Sequence, residues 1–207
     1  MISINQYIQE KLFIKKGKDY KYFPKTKEEL KDIIEKRITR EGNNPDLNDI
    51  DTSKVTNMYG LFKGMQEFNG NVSEWDVSNV TNMQGMFYGC ETFNQNLSKW
   101  EVKKVKDMRA MFHECYKFTG KGLDNWDVSN VEDMESTFGY CHSLVGKCLE
   151  KWNTKSVRDM TDMFYNCINL DCNLSKWNVK NVKDATDMFA DKSGLQFKHK
   201  LQPKFEF

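Results

Sequence analysis

The 207-residue chain has almost no net charge: 31 Lys and Arg against 30 Asp and Glu leave a formal +1. A dedicated nucleic-acid binder usually carries a large basic excess, so only a local basic patch remains to be considered. No apolar run approaches the ~18 residues of a membrane-spanning helix. The opening stretch, MISINQYIQEKLFIKKGKDYKYF, is charged throughout and lacks the apolar core of a signal peptide. As written, the sequence reads as intracellular, with no membrane insertion. Its six cysteines include no C-x-x-C pair. The chain is also not the short, loop-rich kind in which an even cysteine count signals disulfides. There is no P-loop, no G-x-G-x-x-G and no H-E-x-x-H. His113, His142 and His199 suggest no Ser-His-Asp or Cys-His arrangement. The chain is expected to be no enzyme and to need no cofactor.

What is present instead is repetition. Phe62, Phe87, Phe112, Phe138, Phe164 and Phe189 are separated by 25, 25, 26, 26 and 25 residues. Four positions earlier stand Met58, Met83, Met108, Met134, Met160 and Ala185, and three before those Val55, Val80, Val105, Val131, Val157 and Val182. All five tryptophans, Trp75, Trp100, Trp126, Trp152 and Trp177, fall in the same register. Internal repeats of this length mean stacked units, because one unit cannot bury its own apolar face.

Within a unit, Met83, Met86, Phe87, Cys90 and Phe93 have helical spacing. Asn or Asp precedes each Met, as an N-cap would. WDVSNV, rich in Ser, Asn and β-branched residues, reads as extended chain and turn, and FNQNLSKW as a short strand. The expected fold is an α/β repeat solenoid of about six 25–26-residue coils, each with short strand or extended segments and a short helix. Strands paired at ~4.8 Å would make it roughly 29 Å long. The Trp and Phe ladders are read as stacked core, with a ligand-stacking platform as the alternative. Cys90, Cys115, Cys141 and Cys167 form a third ladder. Zinc sites draw ligands from close sequence pairs, so one thiol per coil fits a small buried hydrophobe better than a metal site. Cys148 and Cys172 lie outside that ladder, and a disulfide between them stays open.

The ends differ from the middle. Residues 1–45 read as an N-terminal capping segment, with a helix at about 27–41. It starts at the capping box Thr26-Lys27-Glu28-Glu29 and stops at Gly42, with Leu30, Ile33, Ile34 and Ile38 on one face. Tyr7, Ile8, Leu12, Tyr20, Tyr22 and Phe23 are expected to pack nearby. Residues 46–190 are the repeats, and 191–207, which lack the Trp, a C-terminal cap or tail.

The phrases WDVSNVTNM, MFYGC, FNQNLSKW and IDTSKVTNMYGLF resemble the BspA-like leucine-rich-repeat surface proteins over roughly residues 45–190. The resemblance implies a leucine-rich-repeat-like solenoid with roles in adhesion and protein–protein contact and no common enzymatic activity. Members are often displayed at the cell surface, which the start of this sequence does not suggest.

Polar columns offer the surfaces. Asp51, Asp76, Glu101, Asp127, Asn153 and Asn178 share one column, which reads either as a calcium ladder or as side chains capping their own turns. Lys103, Lys104, Lys106 and Arg109, continued by Lys155, Arg158, Lys180 and Lys183, make a candidate basic stripe. Tyr88 and Tyr165 add aromatic contact area of the kind enriched at protein interfaces. The expected function is a non-enzymatic protein-interaction module that holds a protein partner along an extended face. The alternatives are a structural subunit that self-assembles, and weak nucleic-acid binding through the stripe. The oligomeric state is left open by the sequence.

Overall fold

The structure, a computed structural model, describes residues 19–205. Tyr7, Ile8 and Leu12 lie outside the described residues; of the other residues expected to pack there, Tyr22 lies against the core, whereas Phe23 is largely exposed. Within them there is one α-helix, α1 (Lys27–Glu41), and three short 3-10 turns, Leu123–Asn125, Lys147–Leu149 and His199–Leu201. No strand forms among the described residues. There are only isolated parallel bridges, from Asn57 to Asn82, Asn82 to Asp107, Asp107 to Asp133, Asp133 to Asp159 and Asp159 to Asp184, with two more at Tyr22–Ile50 and Asp46–Asn71. The α/β class, with a short helix and a strand in every coil, is therefore corrected: the repeats are built from turns.

The hydrogen bonds explain why. The N–H groups of Met83, Gly85, Phe87 and Gly89 leave their own repeat and reach the carbonyls of Asp107, Arg109, Met111 and His113 at 2.7–2.9 Å. Between them, Met86, Tyr88 and Cys90 donate three residues back, to Met83, Gly85 and Phe87. A helix would send every N–H four residues back. Here half of them are spent on the neighbouring repeat, and the rest close a chain of tight turns. Gly85 and Gly89 take φ values of 57° and 70°, which no right-handed helix contains. A turn that returns a side chain inward every three or four residues has the same apolar period as a helix, which is why Met83, Phe87 and Cys90 suggested one. Asn82 does cap, but it caps a turn: its Oδ1 accepts the N–H of Gln84 at 2.9 Å. On the opposite side, Asn94 N–H donates to the side chain of Asn69. Side chains there take the place of a strand ladder.

The three ladders are the inside of this stack. Successive Phe rings from Phe62 to Phe189 stack at 5.2–5.7 Å. Trp100, Trp126, Trp152 and Trp177 follow at 6.2–6.3 Å. Each indole N–H donates to a carbonyl of the preceding repeat, as Trp100 does to Val72 at 3.0 Å. Cys90, Cys115, Cys141 and Cys167 are fully buried, and each thiol donates to the Phe carbonyl one repeat back, at 2.9–3.1 Å. All six cysteines are free, Cys148 and Cys172 included. Where a polar residue enters the apolar wall it is satisfied: the Thr137 hydroxyl donates to Met108 and Met134 carbonyls.

The two ends are treated differently. At the front, the Thr26 hydroxyl accepts the Glu29 N–H, and α1 buries Leu30 and Ile34. Arg37, nearly buried, reaches Asp49 at 2.7 Å, the Asp46 carbonyl at 2.6 Å and Glu41 at 2.8 Å. Lys27 lies over the Tyr59 ring, and Ile38 and Thr39 share a cleft with Met65 and Gln66, so α1 runs along the first repeat. At the back, Leu195 is buried and the Leu201 carbonyl accepts Leu174 N–H. The N–H groups of Ala185, Asp187, Phe189 and Asp191, the positions that bridge repeats elsewhere, have no acceptor among the described residues.

Candidate functional site

Two outward columns flank the buried valines and leave a groove of about 790 Å³ along the stack. One rail is Lys104, Asn130, Ser156 and Asn181. The other is Thr81, Lys106, Glu132, Arg158 and Lys183. The first rail is fixed by side chains that reach back one repeat. Asn130 and Asn181 amides donate to the Lys103 and Lys155 carbonyls, and the Ser156 hydroxyl to the Ser129 carbonyl. Lys104 Nζ donates to Asn79 at 2.7 Å. On the second rail, Lys106 lies 3.5 Å and Arg158 3.9 Å from the one carboxylate of the groove, Glu132. Lys183 forms no ion pair among the described residues.

The other residues of the expected stripe lie elsewhere. Lys103, Lys155 and Lys180 occupy the column one step outside the first rail, and Lys103 lies 3.9 Å from Asp127. Arg109 stands beyond the second rail, held by Asp107 at 2.8 Å and Asp133 at 3.5 Å. Its hydrogen bonds to Asp107 raise its already high pKa, whereas burial raises that of Asp133. Asp107, Asp133, Asp159 and Asp184 form an acidic border that begins where the groove ends. Tyr88 and Tyr165 lie past that border and line no part of the groove. Tyr88 is covered by Lys63 at 4.9 Å and stacks on His113 at 5.0 Å. Tyr165 meets Tyr140 at 5.4 Å. The expected stripe is thus divided over several columns, of which the groove unites Lys104, Lys106, Arg158 and Lys183. Sequence reasoning missed the amide rail of Asn130 and Asn181. Its signal was present in the register, since both stand one residue before a ladder valine.

Of the column, Asp51, Asp76, Asp127, Asn153 and Asn178 cap turns: each side-chain oxygen accepts the N–H two residues on, at 3.0–3.3 Å, while Glu101 makes no such bond among the described residues. For Asp127 the Ser129 hydroxyl and N–H hold the carboxyl below the usual range.

A family described as Mycoplasma protein of unknown function, DUF285, matches residues 29–145 and again 117–204. The chain belongs to this family. The two matches overlap over residues 117–145, as a repeated unit allows. No curated protein and no solved structure matches the chain. Among the described residues, no helix is long and apolar enough to cross a membrane. Membership of the DUF285 family brings no function with it, so the groove has to be read on its own chemistry.

Proposed function

We propose that the chain is a non-enzymatic protein-interaction module whose groove holds an extended, acidic segment of a partner protein. One observation carries this reading: Lys104, Lys106, Arg158 and Lys183 face a single groove that holds only one carboxylate, Glu132. Asn130, Ser156 and Asn181 add amide and hydroxyl groups suited to a peptide backbone. Charge arranged this way speeds encounter and sets register more than it adds affinity. The likeness to BspA-like repeat proteins, which implies adhesion and protein contact, points the same way. A nucleic acid fits less well, because the chain as a whole, at a formal +1, lacks the large basic excess of a dedicated nucleic-acid binder.

A second reading, self-assembly, draws on the unpaired N–H row at the back of the stack. End-to-end stacking would need the matching row of the first repeat, along which α1 lies. The protein-partner reading is therefore preferred.

The test is cross-linking and mass spectrometry of the tagged chain in its native source, followed by the variant Lys104→Glu/Lys106→Glu/Lys183→Glu. One partner should cross-link at these lysines and be lost from the folded variant. A partner held equally by the variant sinks the groove reading, and a concentration-dependent mass in light scattering with no foreign partner favours self-assembly.

A further inference from the structure

Beyond the acidic border runs a second strip of opposite character. Six half-buried rings meet there on the outside of the stack. Tyr88 stacks on His113 at 5.0 Å, and Tyr116 on His142 at 4.9 Å. Tyr140 joins the two pairs, 5.4 Å from His113 and 6.4 Å from His142, and continues to Tyr165 at 5.4 Å. Gly139 makes room for this, since a Cβ there would lie 2.6 Å from His113 Nδ1. Two ring nitrogens, His113 Nδ1 and His142 Nε2, are buried without a hydrogen-bond partner among the described residues. Rings left so contribute surface more than polar contacts.

The charges around the rings are mostly negative. Glu91 and Glu114 stand beside Tyr116, and Asp162 and Asp191 beside Tyr165. Lys63 and Lys117, whose backbone N–H donates to the Glu91 carbonyl, are cations near the same rings. Lys63 is already placed on a ring, its Nζ 4.9 Å from the centre of Tyr88. Aromatic faces attract cations, and Arg adds planar stacking to that attraction. Tyr-rich patches with Arg opposite them are also a common composition of protein interfaces.

We propose that this strip is a second interaction surface, which takes an arginine-bearing segment of a partner protein. The rings receive the guanidinium faces, and Glu91, Glu114, Asp162 and Asp191 supply the counter-charge. The Lys63–Tyr88 pair is the chain's own instance of the contact. The surface is independent of the groove, which has the opposite sign and accepts the opposite partner.

The test uses the full chain and a blocked hexa-arginine peptide, titrated calorimetrically at low salt, with blocked hexa-glutamate as control. Hexa-arginine should bind and shift the ring proton resonances of Tyr88 and Tyr116 in the unaltered chain. Tyr116→Leu/Tyr165→Leu, which keeps every charge, should weaken binding about fivefold, as should Glu91→Gln/Glu114→Gln. Lys104→Glu/Lys106→Glu should leave it no weaker. Three results overturn the proposal: no binding to the unaltered chain, equal binding by the folded ring-deleted variant, or unmoved tyrosine resonances. Self-association that the peptide cannot displace would give the strip to a second copy of the chain and overturn it as well.

Discussion

The first repeats and the later ones share a backbone but not the residues that hold it. Near the front, both left-handed positions of each repeat are glycine: Gly60 and Gly64, then Gly85 and Gly89. Further back the same positions are Ala110 and Glu114, Ser136 and Tyr140, Asp162 and Asn166, Asp187 and Asp191, all with φ between 45° and 61°. A side chain in that region costs about 1–2 kcal/mol, and less for Asp162, Asn166, Asp187 and Asp191, because Asp and Asn tolerate it better than other residues. The core changes along the stack as well. Phe62, Phe87 and Phe112 each stack on a second Phe six residues on, at 4.0–4.2 Å. Phe138, Phe164 and Phe189 have Leu144, Leu170 and Leu195 in that place. The front therefore has both the relaxed backbone and the larger aromatic core. The back keeps the same turns because the hydrogen bonds to neighbouring repeats and the single Phe ladder impose them.

The largest effect should separate the two ends. Phe62 is fully buried against Phe68, Phe87 and Trp75. Phe189, half-buried, stacks on Phe164 alone among the described aromatic residues. Phe62→Ala should cost about 3–5 kcal/mol, and Phe189→Ala roughly half the ~1.5–3 kcal/mol of a fully buried side chain. Urea denaturation of both variants measures the difference. Equal losses would mean that the back of the stack is covered as well as the front.

A smaller effect tests the backbone half of the comparison. A Cβ on Gly85 would meet nothing nearer than 3.8 Å, so Gly85→Ala is charged only for its conformation. It should lose about 1–2 kcal/mol. Ala110→Gly, at the aligned position one repeat later, should gain somewhat less, because glycine also gives the unfolded chain more freedom. Paired melting curves would show opposite shifts. Two shifts of the same sign would mean that the later repeats are not strained.

These differences explain what could be read in the sequence. The period was legible because each ladder has one residue per repeat, and Trp100, Phe112 and Cys115 are all buried. The turns were not, because Met83, Phe87 and Cys90 recur at a spacing that turns and helices share. Gly85 and Gly89 carried the discriminating signal, but the later Ala110 and Tyr140 conceal it. Of the groove, the cations were legible as columns. Their pairing was not, since Lys106 and Arg158 both turn to Glu132, 26 residues from each. The aromatic strip was harder still. Its rings come from several register positions, and only the stack brings Tyr116 to His142.

The smallest effect lies in one column of that strip, where the front carries Lys63 and the next repeats Tyr88 and His113. Lys63 is exposed. His113 is mostly covered, and burial lowers its pKa below the ordinary 6.5, against an opposing pull from Glu114 at 3.8 Å. A histidine whose folded pKa is depressed is held in its neutral form by folding. Its contribution is complete above the unfolded pKa and is lost as pH falls through about 6.5 toward the lower folded value. Melting temperature should therefore decline as pH is lowered through that window, by more than the carboxylates alone would cause there. His113→Gln should flatten this segment of the profile, and Lys63→Gln should leave it unchanged. A profile equally steep in His113→Gln would show that the ring titrates as it would in water, and that Tyr88 and Gly139 do not enclose it.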